Sequence, residues 1–280
     1  MQQVVTLIAG PGAEQALRAA VVDLTVGWLG PGACDLAGAD EPAARAAVAG
    51  LPIDVVVQPT AGRRKRLLVA DFESTIIENE MLEELADFLG MRAHVAEITR
   101  RAMNGEIDFV AALAERVALL RGLPASVLDE AARRIRLMPG AAVLIATVRR
   151  AGVRTALVSG GFAVFAAPVA ERLGFERVVA NRLELDGDRL AGTLAPPLVT
   201  GATKFETLTA LAAQFGLGMD ETLALGDGAN DLPMLEAAGF GVAFRAKPAV
   251  AAASRWRIDH ADLTALLYAQ GYRREEFAGI

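Results

Sequence analysis

The sequence predicts an α/β protein: a mostly parallel sheet covered on both faces, an all-helical insertion after its first strand, and a small α+β module at the N-terminus. Three observations carry that prediction. Beyond residue 63, short apolar runs alternate with helix-period segments, the pattern of strands joined by crossover helices. From 80 to 137 the helical period persists with no strand between, broken at Gly90, Asn104-Gly105 and Gly122-Leu123-Pro124. Residues 1–62 carry strand and helix signals of their own and end at Pro59-Thr60-Ala61-Gly62. The expected division is therefore 1–62 and 63–280, with a helical cap at about 77–138 in the second part.

In the first module VVTLIAG, AVVDLTVGWL and DVVVQP read as strands, and PGAEQALRAA and EPAARAAVAG as helices. Leu67–Ala70 then reads as a short buried strand. After about four cap helices, Pro139 opens a helix toward Arg149 that Gly152 ends, and Arg154–Val158 is the next strand. A helix over 162–173 follows, then a hairpin centred on Asp186-Gly187. Helix 204–215 leads to strand Thr222–Leu225 and helix 231–238. Strands near 241–244 and 256–258 and a helix over 262–270 complete the pattern.

Composition narrows the partners. Net charge is −6, and Arg63-Arg64-Lys65-Arg66 is the one dense basic run. Without neighbouring aromatics it reads as a solvated linker, so no nucleic acid is expected. No stretch approaches the roughly 18 apolar residues of a membrane span, and MQQVVTLIAG lacks a secretory pattern. The single cysteine, Cys34, fits a reducing compartment and reads as a core residue, since its module contains no histidine. A cytoplasmic, membrane-free protein is the expectation.

In such a sheet, ligands bind beyond the carboxyl ends of the strands. Four segments fall at that edge: Asp71-Phe72-Glu73-Ser74-Thr75, Ser159-Gly160-Gly161, Lys204 at a helix start, and Gly226-Asp227-Gly228-Ala229-Asn230-Asp231. Carboxylates without cysteine or histidine partners suit a hard cation, Mg²⁺. A Ser-Gly pair and one lysine suit an anion. A phosphate ester is a ligand that wants all of these together. His94 reads as a cap-helix surface residue and His260 as part of a turn before Asp262; neither has a ligand partner at useful spacing.

The order and spacing of these motifs resemble the haloacid dehalogenase superfamily, and within it the phosphoserine phosphatases. GDGANDLPM at 226–234, SGGF at 159–162, MNGEIDF at 103–109, ERVALL at 115–120 and HADL at 260–263 carry the resemblance, which covers nearly all of 66–270. It implies a Rossmann-like core under a helical cap and Mg²⁺-dependent hydrolysis of O-phospho-L-serine in L-serine biosynthesis. It implies Asp71 as nucleophile, forming an aspartyl phosphate, with Asp71, the backbone carbonyl of Glu73 and Asp227 as metal ligands. Ser159, Gly160, Lys204 and Asn230 would hold the phosphoryl group, and Asp231 would position Lys204 or a metal-bound water. Glu80 would receive the substrate amino group, Arg116 its carboxylate, and Met103 and Phe109 would line an apolar wall.

Residue 73 would serve as acid and then base, but the family's usual residue there is aspartate. One more methylene moves the carboxyl by roughly 1.5 Å, and a misplacement of about 1 Å can cost on the order of 100-fold. Alternatives therefore stand beside the leading expectation: another small phosphomonoester as substrate, or a phosphoserine-binding sensor with an impaired site. Glu80, Glu83, Glu84 and Asp87 also fit an exposed acidic helix face, Arg116 a surface residue, and Met103 and Phe109 core residues. The first module resembles the amino-acid-binding regulatory domains attached to some of these phosphatases. Its residues identify no ligand, and homodimerisation or simple docking explains it equally well.

Overall fold

In the computed structural model, residues 2–38, 40–104 and 106–279 are described, Ala37 and Met103 by backbone alone. Among them, the N-terminal segment forms β1 (Gln3–Ala9), α1 (Glu14–Ala20), β2 (Val26–Gly30), β3 (Ala33–Ala37), α2 (Glu41–Ala47) and β4 (Ile53–Pro59). Its strands make a four-stranded antiparallel sheet in the order β2-β3-β1-β4, a split βαβ arrangement. The strand expected over 20–29 begins only at Val26, because Val21 and Val22 turn the chain after α1. β3 lacks the β-branched residues that announce strands and is held by pairing on both sides.

Alternation along β1 sends side chains to two cores. Val5 and Leu7 pack with Leu17, Cys34 and Ala44 beneath the module's own helices. Ile8, with Leu29, Ala33 and Val56, enters the main hydrophobic cluster of the larger unit. Burial pushes the Cys34 thiol up to about 12, as expected of a packed and unreactive side chain.

The larger unit comprises β5 (Leu67–Ala70), α3 (Met81–Asp87), α4 (Arg92–Met103), α5 (Phe109–Ala118), α6 (Ser126–Ala132), α7 (Ala141–Arg150), β6 (Arg154–Phe162) and α8 (Ala163–Leu173). It continues with β7 (Arg177–Asp186), β8 (Arg189–Ala195), α9 (Gly201–Gln214), β9 (Thr222–Gly226), α10 (Leu232–Ala237), β10 (Phe240–Phe244), α11 (Pro248–Ala253), β11 (Trp256–Ile258) and α12 (Ala265–Ala269). The seven strands run in the order β11-β10-β9-β5-β6-β7-β8, parallel throughout except for the β7–β8 hairpin. β5 is buried along its whole length, which is why it reads as a continuous apolar run. Leu68 and Leu157 face Leu144, Phe165 and Leu266 on one side; Val69 and Val158 face Leu208, Leu211 and Met234 on the other. The chain moves outward from β5 through β6 and β7, then returns to β9 on the opposite flank. Between β5 and β9 lies the switch in direction where open α/β sheets bind ligands. Among the described residues no helix is long and apolar enough to cross a membrane.

The basic run 63–66 is a solvated linker only in part: Arg64 and Arg66 stay exposed, whereas Lys65 is buried and Arg63 nearly so. Each cation has a partner at the junction of the two sheets. Arg63 pairs with Asp35 at 2.7 Å, Arg64 with Glu276 at 2.9 Å, and Arg66 with Glu221 at 2.9 Å. Lys65 is buried and donates to the carbonyls of Gly62 and Asp220, both at 2.8 Å. Asp54 of β4 completes the junction by accepting the N–H groups of Asp259 and Ala261 at 2.8 Å and of His260 at 3.2 Å. The HADL turn is thus shaped by a carboxylate some 200 residues earlier in the chain. Asp54→Ala leaves those donors without their anion and is expected to cost about 3 kcal/mol in urea unfolding with an unchanged m-value; a loss below about 1 kcal/mol would show that the junction is not held there.

Candidate active site

Asp71 sits one residue beyond β5, its N–H donating to Leu225 O of β9 at 2.9 Å. The extra bond carries the parallel ladder past the strand end and aims the Asp71 carboxylate at the switch point. Asp227 leaves β9 beside it. Lys204 lies one turn inside α9, not at its first residue, because the helix begins at Gly201 behind a Thr200–Thr203 capping box. From there its ammonium reaches Asp71 Oδ1 and Asp231 Oδ1, each at 2.6 Å, with Lys204 and Asp231 wholly buried. The second Asp231 oxygen accepts the N–H groups of Asp227 and Gly228 at 3.1 and 3.0 Å. Asp231 thus braces both Lys204 and the loop carrying Asp227.

The SGG segment is a bulge. β6 pairs with β7 through Ser159, then slips register before Phe162, so residues 160 and 161 bow out of the ladder. Ser159 Oγ accepts from Gly161 N at 2.9 Å. Asn181 pins the bow from β7, donating to Gly160 O at 2.8 Å while its own oxygen accepts from Val199 N at 2.8 Å. Glycine lets two side chains come close here: a Cβ on Gly160 would fall 2.9 Å from the tip of the Phe109 ring, and one on Gly161 2.7 Å from the Glu73 carboxyl, so either side chain would have to move aside.

The cap supplies the opposite wall. Ser74 adopts φ 55°, a left-handed conformation costing a non-glycine residue about 1 kcal/mol. Its hydroxyl donates to Glu80 at 2.6 Å, just before α3 begins. The acidic face expected on that helix is not a solvated one: Glu84 is buried, accepts from Asn79 and pairs with Arg92 and Arg134, while Glu80 turns into the cleft. Arg116 is not on the surface either. It is 4% exposed, with Nε donating to Ala112 O at 2.9 Å and Nη1 to Thr99 Oγ1 at 2.7 Å. Phe109 is half-buried at the cleft edge instead of fully inside the core. The Met103 side chain, also expected on this wall, lies outside the described residues. His94 is exposed on α4, as anticipated.

Asp71, Glu73, Glu80, Phe109, Arg116, Ser159, Gly160, Asp227 and Asn230 line one cleft. Gly161 and Phe162 of the SGGF motif also line it, as do Leu82 and Leu113, which sequence reasoning did not single out. It likewise missed Lys247, whose Nζ lies 3.2 Å from Asp227 Oδ2, and the braces Ser74 and Asn181. Oxygens of Asp71, Asp227 and Asp231 lie within 4.8 Å of one another, an all-oxygen donor set that fits a hard divalent cation. Asn230 Oδ1 is buried without a hydrogen-bond partner among the described residues, which points to a ligand in the cleft.

Electrostatics follow from crowding. Burial, then repulsion from Asp231, raises Asp71 to about 7 despite Lys204. Burial and the carboxylates of Glu80 and Asp71 lift Glu73 well above the usual range, against a 3.0 Å bond from Met81 N. Burial opposes charge on Lys204, but the attraction of Asp231 and Asp71 outweighs it and keeps the ammonium protonated. Without a bound metal, Asp71 and Glu73 therefore hold protons in the folded chain that they lose on unfolding above about pH 4. The stability they contribute is full below that pH and drains as pH rises toward and through 7. Thermal melts of the ion-free protein from pH 5 to 8 are expected to fall more steeply for wild type than for Asp71→Asn, which is neutral at every pH; parallel curves would contradict the assignment.

A model of the haloacid dehalogenase-like hydrolases matches residues 68–236. The phosphoserine phosphatase SerB2 of Mycobacterium tuberculosis is 43% identical over 226 residues, covering 80% of this chain. The chain spans 55% of that relative's length. The haloacid dehalogenase family hydrolase t0658 of Salmonella enterica superposes with a TM-score of 0.83 at 27% identity, over 96% of this chain and 98% of its own. A phospho-aspartyl intermediate analogue of phosphoserine phosphatase superposes with a TM-score of 0.70 at 35% identity, over 73% and 98%. With the matched model spanning both aspartate loops and the braced SGG bulge, the chain belongs to the haloacid dehalogenase-like hydrolase family.

Proposed function

We propose that the protein is a phosphatase that hydrolyses O-phospho-L-serine to serine and phosphate. One observation carries the reading: Asp71, Ser159, Gly160 and Asn230, which suit a phosphoryl group, line the same cleft as Glu80 and Arg116, which suit the ammonium and carboxylate of an amino acid. A sugar phosphate needs neither an anion for an ammonium nor a guanidinium for a carboxylate. Similarity to phosphoserine phosphatases supports the same substrate.

On this reading Asp71 attacks phosphorus in line, and the phosphoryl group passes to its carboxylate as the serine oxygen departs. Ser159, the Gly160 N–H and Asn230 hold the phosphoryl oxygens, and Lys204 offsets the charge they share with Asp71. Glu73, protonated by its surroundings, gives its proton to the leaving serine oxygen and then accepts one from the water that releases phosphate. Asp71, Asp227 and the Glu73 backbone carbonyl would hold Mg²⁺, whose charge would reduce the repulsion that the Asp71 carboxylate and the phosphoryl group feel for each other. Leu82, Leu113 and Phe109 exclude water from the cap side. A serine-supplying role in the cytoplasm goes with this chemistry.

A second reading rests on Glu73, whose carboxylate is bonded to Met81 N on the cap. If the longer arm stays there, the site binds phosphoserine and turns it over slowly, as a sensor would. Phosphate release from phosphoserine, phosphothreonine and sugar phosphates, with and without Mg²⁺, separates these readings. Wild type is expected to prefer phosphoserine and to need the ion. Asp71→Asn should lose at least about 1,000-fold in kcat, and Arg116→Ala about 100-fold in kcat/KM for phosphoserine alone. Equal turnover of sugar phosphates would remove the substrate assignment. A sharp gain in Glu73→Asp would favour the impaired sensor, and little change an accommodated glutamate.

A further inference from the structure

The two lysine ammonium groups beside the aspartates are not equivalent. Lys204 is committed to Asp71 and Asp231 and is wholly buried. Asp227, only 4% exposed, has Lys247 as its cationic partner among the described residues, Nζ to Oδ2 at 3.2 Å. Lys247 is bound to the same loop through its backbone as well, its N–H donating to Asp227 O at 3.0 Å. It stands at the N-terminal end of α11, with Pro248 next, so its main chain is fixed. The side chain is not: it is 30% exposed, and a four-carbon stem can swing the ammonium into water.

Oxygens of Asp71, Asp227 and Asp231 crowd within 4.8 Å, and the buried Lys204 ammonium contacts only two of the three residues, Asp71 and Asp231. Lys247 brings the second positive charge, on the carboxylate that the reading above assigns to the divalent ion. We infer that Lys247 is a built-in surrogate cation: it holds Asp227 while no divalent ion is bound, and the ion must displace or tolerate it to bind. Lys247 therefore weakens divalent-ion affinity and in exchange keeps the ion-free fold intact. The inference rests on the assignment of Asp227 as a metal ligand.

The test is calorimetric titration of the metal-free, full-length protein with Mn²⁺ and with Mg²⁺, together with melting temperatures before and after loading. Lys247→Met keeps the stem and removes the charge. It is expected to bind Mn²⁺ at least about tenfold more tightly than wild type, to melt lower without the ion, and to gain more on loading. Lys247→Arg should titrate like wild type, and Lys247→Gln should follow Lys247→Met if the latter folds poorly. Unchanged or weaker affinity in both neutral variants overturns the surrogate role while leaving the metal assignment standing. Asp227→Asn should abolish the titration. Wild type that binds no ion, or binding indifferent to Asp227→Asn, overturns both together.

Discussion

One buried ammonium holds the site in place. Lys204 lies between Asp71 and Asp231 at 2.6 Å from each, with no water access of its own. Moving such charges out of water costs several kcal/mol per ion, and only close geometry with further hydrogen bonds offsets it. The further bonds are present. Asp231 spends its second oxygen on the backbone of the Asp227 loop, and Asp71 continues the ladder to β9. Removing one member of such a cluster costs about 3–5 kcal/mol in general, because the remaining charges stay buried without partners. The cluster is thus poor as a source of stability, and what it does is tie helix α9 to the end of β5 and to the loop that follows β9.

That constraint crowds buried acids together, and the surrounding groups answer to it. Arg116 is buried where it feels the charges of Glu73, Glu80 and Glu83. Lys247 attends to Asp227 from the far side. The bulge after Ser159 offers backbone N–H groups where a side chain would not fit, and Asn181 keeps it bowed. Glu73 spans the two halves of the cleft: its backbone belongs to the core loop, whereas its carboxylate reaches the first helical N–H of the cap. The Glu73 carboxyl packs against Gly161, where a Cβ would come within 2.7 Å of it.

Much of this was legible in the chain because it is local. An apolar run closed by DFEST, a Gly-Asp-Gly-Ala-Asn-Asp turn after another such run, and an Asp-Gly between alternating residues each signal their own structure. What was not legible depends on contacts far along the chain. Arg63 and Lys65 look solvated until Asp35 and the Asp220 carbonyl are folded against them, and the exposed Arg64 and Arg66 find Glu276 and Glu221 only in the fold. Helical spacing placed Glu80 with Glu83, Glu84 and Asp87 on one face, but Glu80 precedes the helix and Glu84 is pulled inward by Asn79, Arg92 and Arg134. Val21 and Val22 have strand chemistry and form a turn; Ala33 to Ala37 lack it and form a strand, because pairing on both sides outweighs intrinsic preference. Lys247 follows Asp227 by 20 residues in an unremarkable Ala-Lys-Pro, and no spacing rule connects them.

The most direct test of the shared phosphoryl site is a crystal structure of the protein soaked with Mg²⁺ and beryllium fluoride, which mimics a phosphoryl group on a carboxylate. The adduct is expected on an Asp71 oxygen, its fluorines within hydrogen-bond reach of Ser159, the Gly160 N–H and Lys204. Density that avoids Asp71, or an adduct that those three groups cannot reach together, would contradict the account.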